Sequence, residues 1–125
     1  MTDNPSPTPP RPLGPYTPVV RAGDWVICSG QVGLRDGRLV DGLEEQVAQA
    51  IANIATLLAG QGAGLDSVAK TTVFLADIAD FAAMNDAYMT AFGPHRPARS
   101  AFAVAALPVG ARVEIEAWAF LGEKR

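Results

Sequence analysis

The last third of this chain holds the pattern that most limits its fold. Val113, Ile115, Ala117 and Ala119 alternate with Arg112, Glu114, Glu116, Trp118 and Phe120. A period of two makes Arg112 to Leu121 a strand with two unlike faces. The Val/Ile/Ala face suits burial against helices. The other face mixes carboxylates with aromatics, whereas a solvated face is expected to be more uniformly polar. The sheet is therefore expected to be covered on its second side as well, by another subunit.

The remaining elements fit one α+β domain. Thr17 to Arg21 and Trp25 to Val32 read as strands around an Ala22-Gly23-Asp24 turn, and Pro18 makes the first irregular or an edge strand. A turn at Asp36-Gly37 precedes a short strand at Arg38 to Val40. Asp41 with Glu44 three residues on predicts a capped helix start, and Leu43, Val47, Ile51, Ile54 and Leu58 form its apolar stripe. Gly60, Gly62 and Gly64 end that helix. Ser67 to Leu75 is a strand with Lys70, Thr72 and Phe74 on one face and Thr71, Val73 and Leu75 on the other. Asp80 is expected to cap a second helix with Phe81, Met84, Tyr88 and Phe92 buried, stopped by Gly93-Pro94. Strands at Ala98 to Ala106 and Arg112 to Leu121 complete the order, and the short Leu107 to Gly110 link predicts that they are neighbours. The expected architecture is a mixed, mostly antiparallel sheet with two helices on one face.

At 125 residues the chain is expected to be one domain, residues 14–125, behind a Pro-rich flexible tail, residues 1–13, that holds Pro5, Pro7, Pro9, Pro10 and Pro12. Apolar residues make up 49% of it, enough for a core, although a domain this small gains from oligomerisation. A net charge of −3 counts against nucleic acid as a partner. No apolar run is long enough to span a membrane and no signal peptide is evident, so a cytoplasmic location is expected. The single cysteine, Cys28, rules out an internal disulfide and reads as a small buried hydrophobe. The single histidine, His95, reads as an exposed loop residue. One His and one Cys make no metal constellation, and no Ser-His-Asp relay is present.

Two residues stand out chemically. Arg99 lies among small and apolar neighbours, where a guanidinium is costly unless it meets an anion. Its planar set of donors suits a carboxylate ligand, and the competing reading is a salt bridge at a subunit interface, with Glu114 or Glu116 as candidate partners. Glu114, on the strand expected beside it, is a candidate to handle a water or a proton. The competing reading there is an exposed strand carboxylate.

Five motifs then stand in register: Gly14-Pro15-Tyr16, Cys28-Ser29-Gly30-Gln31, Lys70 to Leu75, Arg96-Pro97-Ala98-Arg99-Ser100 and Val113-Glu114-Ile115-Glu116-Ala117. Together they make the chain, from Gly14 to Leu121, resemble the RidA (YjgF) family of reactive intermediate deaminases. The resemblance implies a chorismate-mutase-like fold and a homotrimer whose sheets close around a central barrel, with ligand clefts between subunits. It implies hydrolysis of 2-imino or enamine acids to 2-oxo acids and ammonia, with no cofactor and no metal. By the same resemblance Arg99 holds the substrate carboxylate and Glu114 lies near the attacking water. Tyr16, Ser29 and Asn85 line the cleft, and Gly30 lets the backbone approach the ligand. Ala101 stands where the family often has cysteine, which excludes a thiol there but leaves the backbone carbonyl to orient a water. The alternatives are a binding module for small 2-oxo acids, a specialised catabolic deaminase or hydrolase of the same family, and an RNA- or protein-interacting role.

Overall fold

The computed structural model describes residues 9–123. Residues 1–8 of the expected tail lie outside the described residues, and Pro9 to Leu13 run without regular secondary structure. The strands are β1 (Val19–Ala22), β2 (Trp25–Val32), β3 (Leu34–Arg35), β4 (Arg38–Leu39), β5 (Val68–Leu75), β6 (Ala98–Ala103) and β7 (Val113–Phe120). The helices are α1 (Leu43–Ala59) and α2 (Phe81–Phe92). The five-stranded sheet has the order β1-β2-β7-β5-β6, and β3 with β4 forms a separate hairpin. All pairs in the large sheet are antiparallel except β5 with β6. Edge strand β1 follows Pro18, as the missing donor requires.

The helices share one face of the sheet. Val47, Ile51, Ile54 and Leu58 of α1 meet Val113, Ile115, Ala117 and Ala119 of β7, together with Val73 and Leu75 of β5 and Val26 and Cys28 of β2. Each of these side chains is 1% exposed or less, and each of the larger ones contributes about 1.5–3 kcal/mol through burial. The opposite face carries what the alternation demands. Trp25 packs on Trp118 and Phe120, Phe74 packs edge-on against Phe102, and Lys70 donates to Ser100 Oγ at 2.9 Å.

Several expectations are corrected. β6 and β7 are not neighbours, because β5 lies between them. The reason is the crossover: β5-α2-β6 is a parallel βαβ unit, which sets β6 beside β5 at the sheet edge. The chain then passes the end of β5, where Ala76 N–H donates to Arg112 O and Val104 N–H to Leu75 O, and β7 enters on the far side. Gly42 at φ 90°, rather than Asp41, occupies the N-cap of α1, and no side-chain cap bond forms. Asp80 sits at the N-cap of α2 but its carboxylate bonds Arg112 Nη2 at 2.9 Å, and Asp77 accepts from Ala79 N–H instead. Phe81 is 38% exposed rather than buried. His95 is half-buried, with Nε2 2.7 Å from Val68 O, so it ties the loop after α2 to the start of β5.

Candidate functional site

Glu114 owes its placement to an irregularity in the β2–β7 pairing. Cys28 faces Ala117 and Gln31 faces Ile115, so Ser29 and Gly30 together oppose Glu116 alone. Such a bulge bends its strand and re-aims side chains. The Glu114 carboxylate lies over Gly30, and a Cβ on Gly30 would overlap Oε2 and come within 2.9 Å of Cδ. Only glycine leaves room for that carboxylate. Glu114 is half-buried, and its carboxyl is held above the usual carboxylate range, first by desolvation and then by the charge of Glu116.

Tyr16 and Ser29 complete this side. Ser29 Oγ donates to Thr17 O at 2.8 Å, which leaves its lone pairs free to accept. Tyr16 Oη accepts from Leu13 N–H at 3.1 Å and keeps its own proton to donate. Tyr16, Ser29, Gly30 and Glu114 all open onto one cavity of about 1120 Å³. Its other walls are Pro9 to Leu13, the Leu34 to Gly37 hairpin, one flank of α1 and the Pro108-Val109 turn. A carboxylate with a raised proton affinity beside two hydroxyl groups is equipped to hold and deprotonate a water.

Arg99 belongs to a different place. It pairs in register with Thr71 of β5, and its side chain lies on the helix side of the sheet. Nη1 donates to Met84 Sδ at 3.7 Å, and the guanidinium carbon stands 4.9 Å from the Tyr88 ring centroid and 5.7 Å from that of Phe81. Among the described residues the only ion pair is Arg112–Asp80, so Arg99 has no carboxylate partner there. Asn85, next to Met84 on α2, has a buried Oδ1 without a hydrogen-bond partner. Ala101 shares the Arg99 face of β6 and packs against the core.

One chain thus brings Tyr16, Ser29, Gly30 and Glu114 together on one cavity, and puts Arg99 and Ala101 on the other face of the sheet, with Asn85 on the adjacent α2. Arg99 and Glu114 stand on opposite faces of the sheet with β5 between them. Sequence reasoning missed the rings around Arg99, because the i, i+3, i+7 spacing of Phe81, Met84 and Tyr88 is also that of a core stripe. It also missed Gln49, Asn53 and Thr56, which line the cavity from α1. Their polar repeat beside the apolar stripe was the available signal. Among the described residues no three His, Cys, Asp or Glu side chains converge as metal ligands, and no helix is long and apolar enough to cross a membrane. Burial pushes the Cys28 thiol up to about 12.

The fold is that of an α+β protein with two helices on one face of a mixed sheet, one polar cluster on an open cavity and an arginine held among rings beside α2. The family model described as Endoribonuclease L-PSP matches residues 7–121, and the chain belongs to this family, the RidA/YjgF family. It is 46% identical over 116 residues to the mouse 2-iminobutanoate/2-iminopropanoate deaminase, covering 90% of this chain and 86% of that one. A crystal structure of an L-PSP protein from Entamoeba histolytica is 44% identical with a TM-score of 0.88, covering 93% of this chain and 95% of that one. The structure of E. coli TdcF with bound serine is 30% identical with a TM-score of 0.85, covering 91% and 94%.

Proposed function

We propose that this protein hydrolyses reactive 2-imino and enamine acids to 2-oxo acids and ammonia. Arg99 binds the substrate carboxylate and Glu114 orients the water. The observation that carries this reading is the convergence of Tyr16, Ser29, Gly30 and Glu114 on one cavity, in a chain 46% identical to the mouse deaminase. The serine bound to TdcF, a small amino acid with a carboxylate, agrees in size and charge with such a ligand.

The chemistry balances without a covalent intermediate on the protein. An enamine first takes a proton at carbon and gives one up from nitrogen, becoming the imine. Water then adds its oxygen to the C=N carbon, and Glu114 accepts a water proton and returns it to nitrogen. The C–N bond breaks, nitrogen leaves as ammonia with both water hydrogens, and the C=O bond remains. Arg99 would fix the carboxylate at roughly 1.5–3 kcal/mol for charged hydrogen bonds. Holding the ligand turns water attack into a positioned event. A half-buried Glu114 with raised proton affinity is a better base near neutral pH than an exposed carboxylate.

We further propose that the working unit is a homotrimer of chorismate-mutase-like subunits around a central barrel, in which Glu114 of one subunit meets Arg99 of the next. The separation of Arg99 from Glu114 within one chain supports this, since a complete cleft then needs two chains. So does the aromatic outer face of the sheet, where Trp25, Trp118 and Phe102 are 37%, 40% and 46% exposed in the isolated chain. The test is the decay of 2-iminopropanoate generated in situ. Wild type accelerates the decay, and Arg99→Ala of unchanged oligomeric state loses most of that acceleration. A well-folded wild type without acceleration would overturn the assignment.

A further inference from the structure

Arginine has a long side chain with many rotamers, so a guanidinium on an edge strand is poorly aimed unless something holds it. The common holder is a carboxylate, which also quenches the charge and occupies the donors. Arg99 is held differently. Its guanidinium rests against the Tyr88 ring at 4.9 Å, with Phe81 at 5.7 Å and the Met84 sulfur at 3.7 Å from Nη1. Ring faces attract the cation without competing for its in-plane N–H groups.

The Tyr88 ring is itself fixed. It is 4% exposed, its Oη shares a 2.7 Å hydrogen bond with Thr71 Oγ1, and its ring lies 4.7 Å from that of Phe92 at 30°. Thr71 is fully buried and is the register partner of Arg99 across β5 and β6. The two strands and α2 thus form a closed device within one βαβ unit: β5 anchors the phenol, α2 supplies the ring, and β6 lays the guanidinium on it. Desolvation holds the Tyr88 phenol above its ordinary range, against the opposing effects of Thr71, Arg99 and Arg96, so the ring stays neutral near pH 7.

Resting on the reading of Arg99 as the carboxylate clamp, we infer that Tyr88 is a positioning residue whose packed ring aims the free donors of Arg99 at the ligand. It touches no reacting atom. Its loss therefore weakens carboxylate binding and leaves the chemical step of bound substrate largely intact.

The test measures 2-oxobutanoate affinity by calorimetry and the turnover of in situ 2-iminobutanoate, on variants whose fold is checked by circular dichroism. Tyr88→Leu should raise the 2-oxobutanoate Kd about tenfold with kcat within about threefold of wild type, whereas Tyr88→Phe, which keeps the ring, should stay within about threefold in Kd. In an Arg99→Ala background, Tyr88→Leu should change Kd less than about twofold, because the residue acts through Arg99. A folded Tyr88→Leu with wild-type Kd overturns the inference, as does an equal loss in Tyr88→Phe or an additive double variant. If Tyr88→Leu does not fold, Phe81→Leu at the exposed second ring replaces it: a severalfold rise in Kd supports the inference and an unchanged Kd overturns it. A folded Arg99→Ala with unchanged affinity would instead overturn the carboxylate reading itself. A weak Arg99→Ala beside an unaffected Tyr88→Leu removes only the role of Tyr88.

Discussion

Replacing Gly30 by alanine puts a methyl group where the Glu114 carboxylate lies. The new Cβ would overlap Oε2 and stand 2.9 Å from Cδ and 3.1 Å from Cγ, well inside van der Waals contact. All three atoms belong to a flexible side chain, so the carboxylate swings away and the backbone stays. Gly30 is not among the residues at positive φ, which leaves no backbone strain to add. The stability loss should therefore be under about 1 kcal/mol. The consequence for rate is much larger. A catalytic group displaced by about 1 Å costs on the order of a hundredfold, and clearing this overlap needs at least that much movement. Gly30→Ala should thus melt within a few degrees of wild type and lose about two orders of magnitude in kcat for in situ 2-iminobutanoate. In a Glu114→Gln background the same change should add little, because the group it displaces is already disabled. A Gly30→Ala variant with wild-type kcat, or an additive effect with Glu114→Gln, would refute the reasoning.

Other consequences are accessible to simple assays. Glu114 must be ionised to accept a proton, and its carboxyl is held above the ordinary 4.5, so kcat should fall through that raised value as pH drops and the limb should vanish in Glu114→Gln. The sign for stability is opposite to that of a salt-bridged carboxylate. The folded state holds this proton more tightly than the unfolded chain, so the cost of ionised Glu114 is absent below the unfolded value and grows as pH rises through the folded one. Glu114→Gln should therefore raise the melting temperature at pH 7 more than at pH 4. Cys28, buried with its thiol at about 12, should ignore a disulfide reagent in the native protein and yield one thiol per chain in denaturant. Asn53→Ala should cost about 1–3 kcal/mol in urea unfolding, because Nδ2 donates to both Val32 O and Leu34 O and their loss leaves carbonyls unpaired behind the β3–β4 hairpin.

Much of the fold can be read from periodicity because burial imposes it directly. The stripe from Leu43 to Leu58 and the alternations in β5 and β7 exist because one face of each element meets the core. Strand order is another matter. The Leu107 to Gly110 link is short enough for a hairpin, and only the crossover of the preceding βαβ unit sends β7 across to β2. The helix starts mislead for a local reason: Gly42 adopts a left-handed φ that moves Asp41 outside the capping position, and Arg112 takes the Asp80 carboxylate. In the candidate site, Gly30 and Glu114 can be nominated one by one, but their contact comes from a bulge that a lone sequence does not announce. The division of Arg99 from Glu114 is equally hidden, since it depends on which face of β6 looks toward α2.

The central claim is that a complete site takes Glu114 from one subunit and Arg99 from another. Subunit mixing tests it most directly. Arg99→Ala and Glu114→Gln proteins, each expected to lose activity toward in situ 2-iminobutanoate, are unfolded together in equal amounts and refolded. In randomly mixed trimers about a quarter of the clefts join an intact Glu114 to an intact Arg99, so about a quarter of wild-type activity should return. Activity no higher than that of the two variants refolded separately, with mixed trimers verified by mass, would contradict the account.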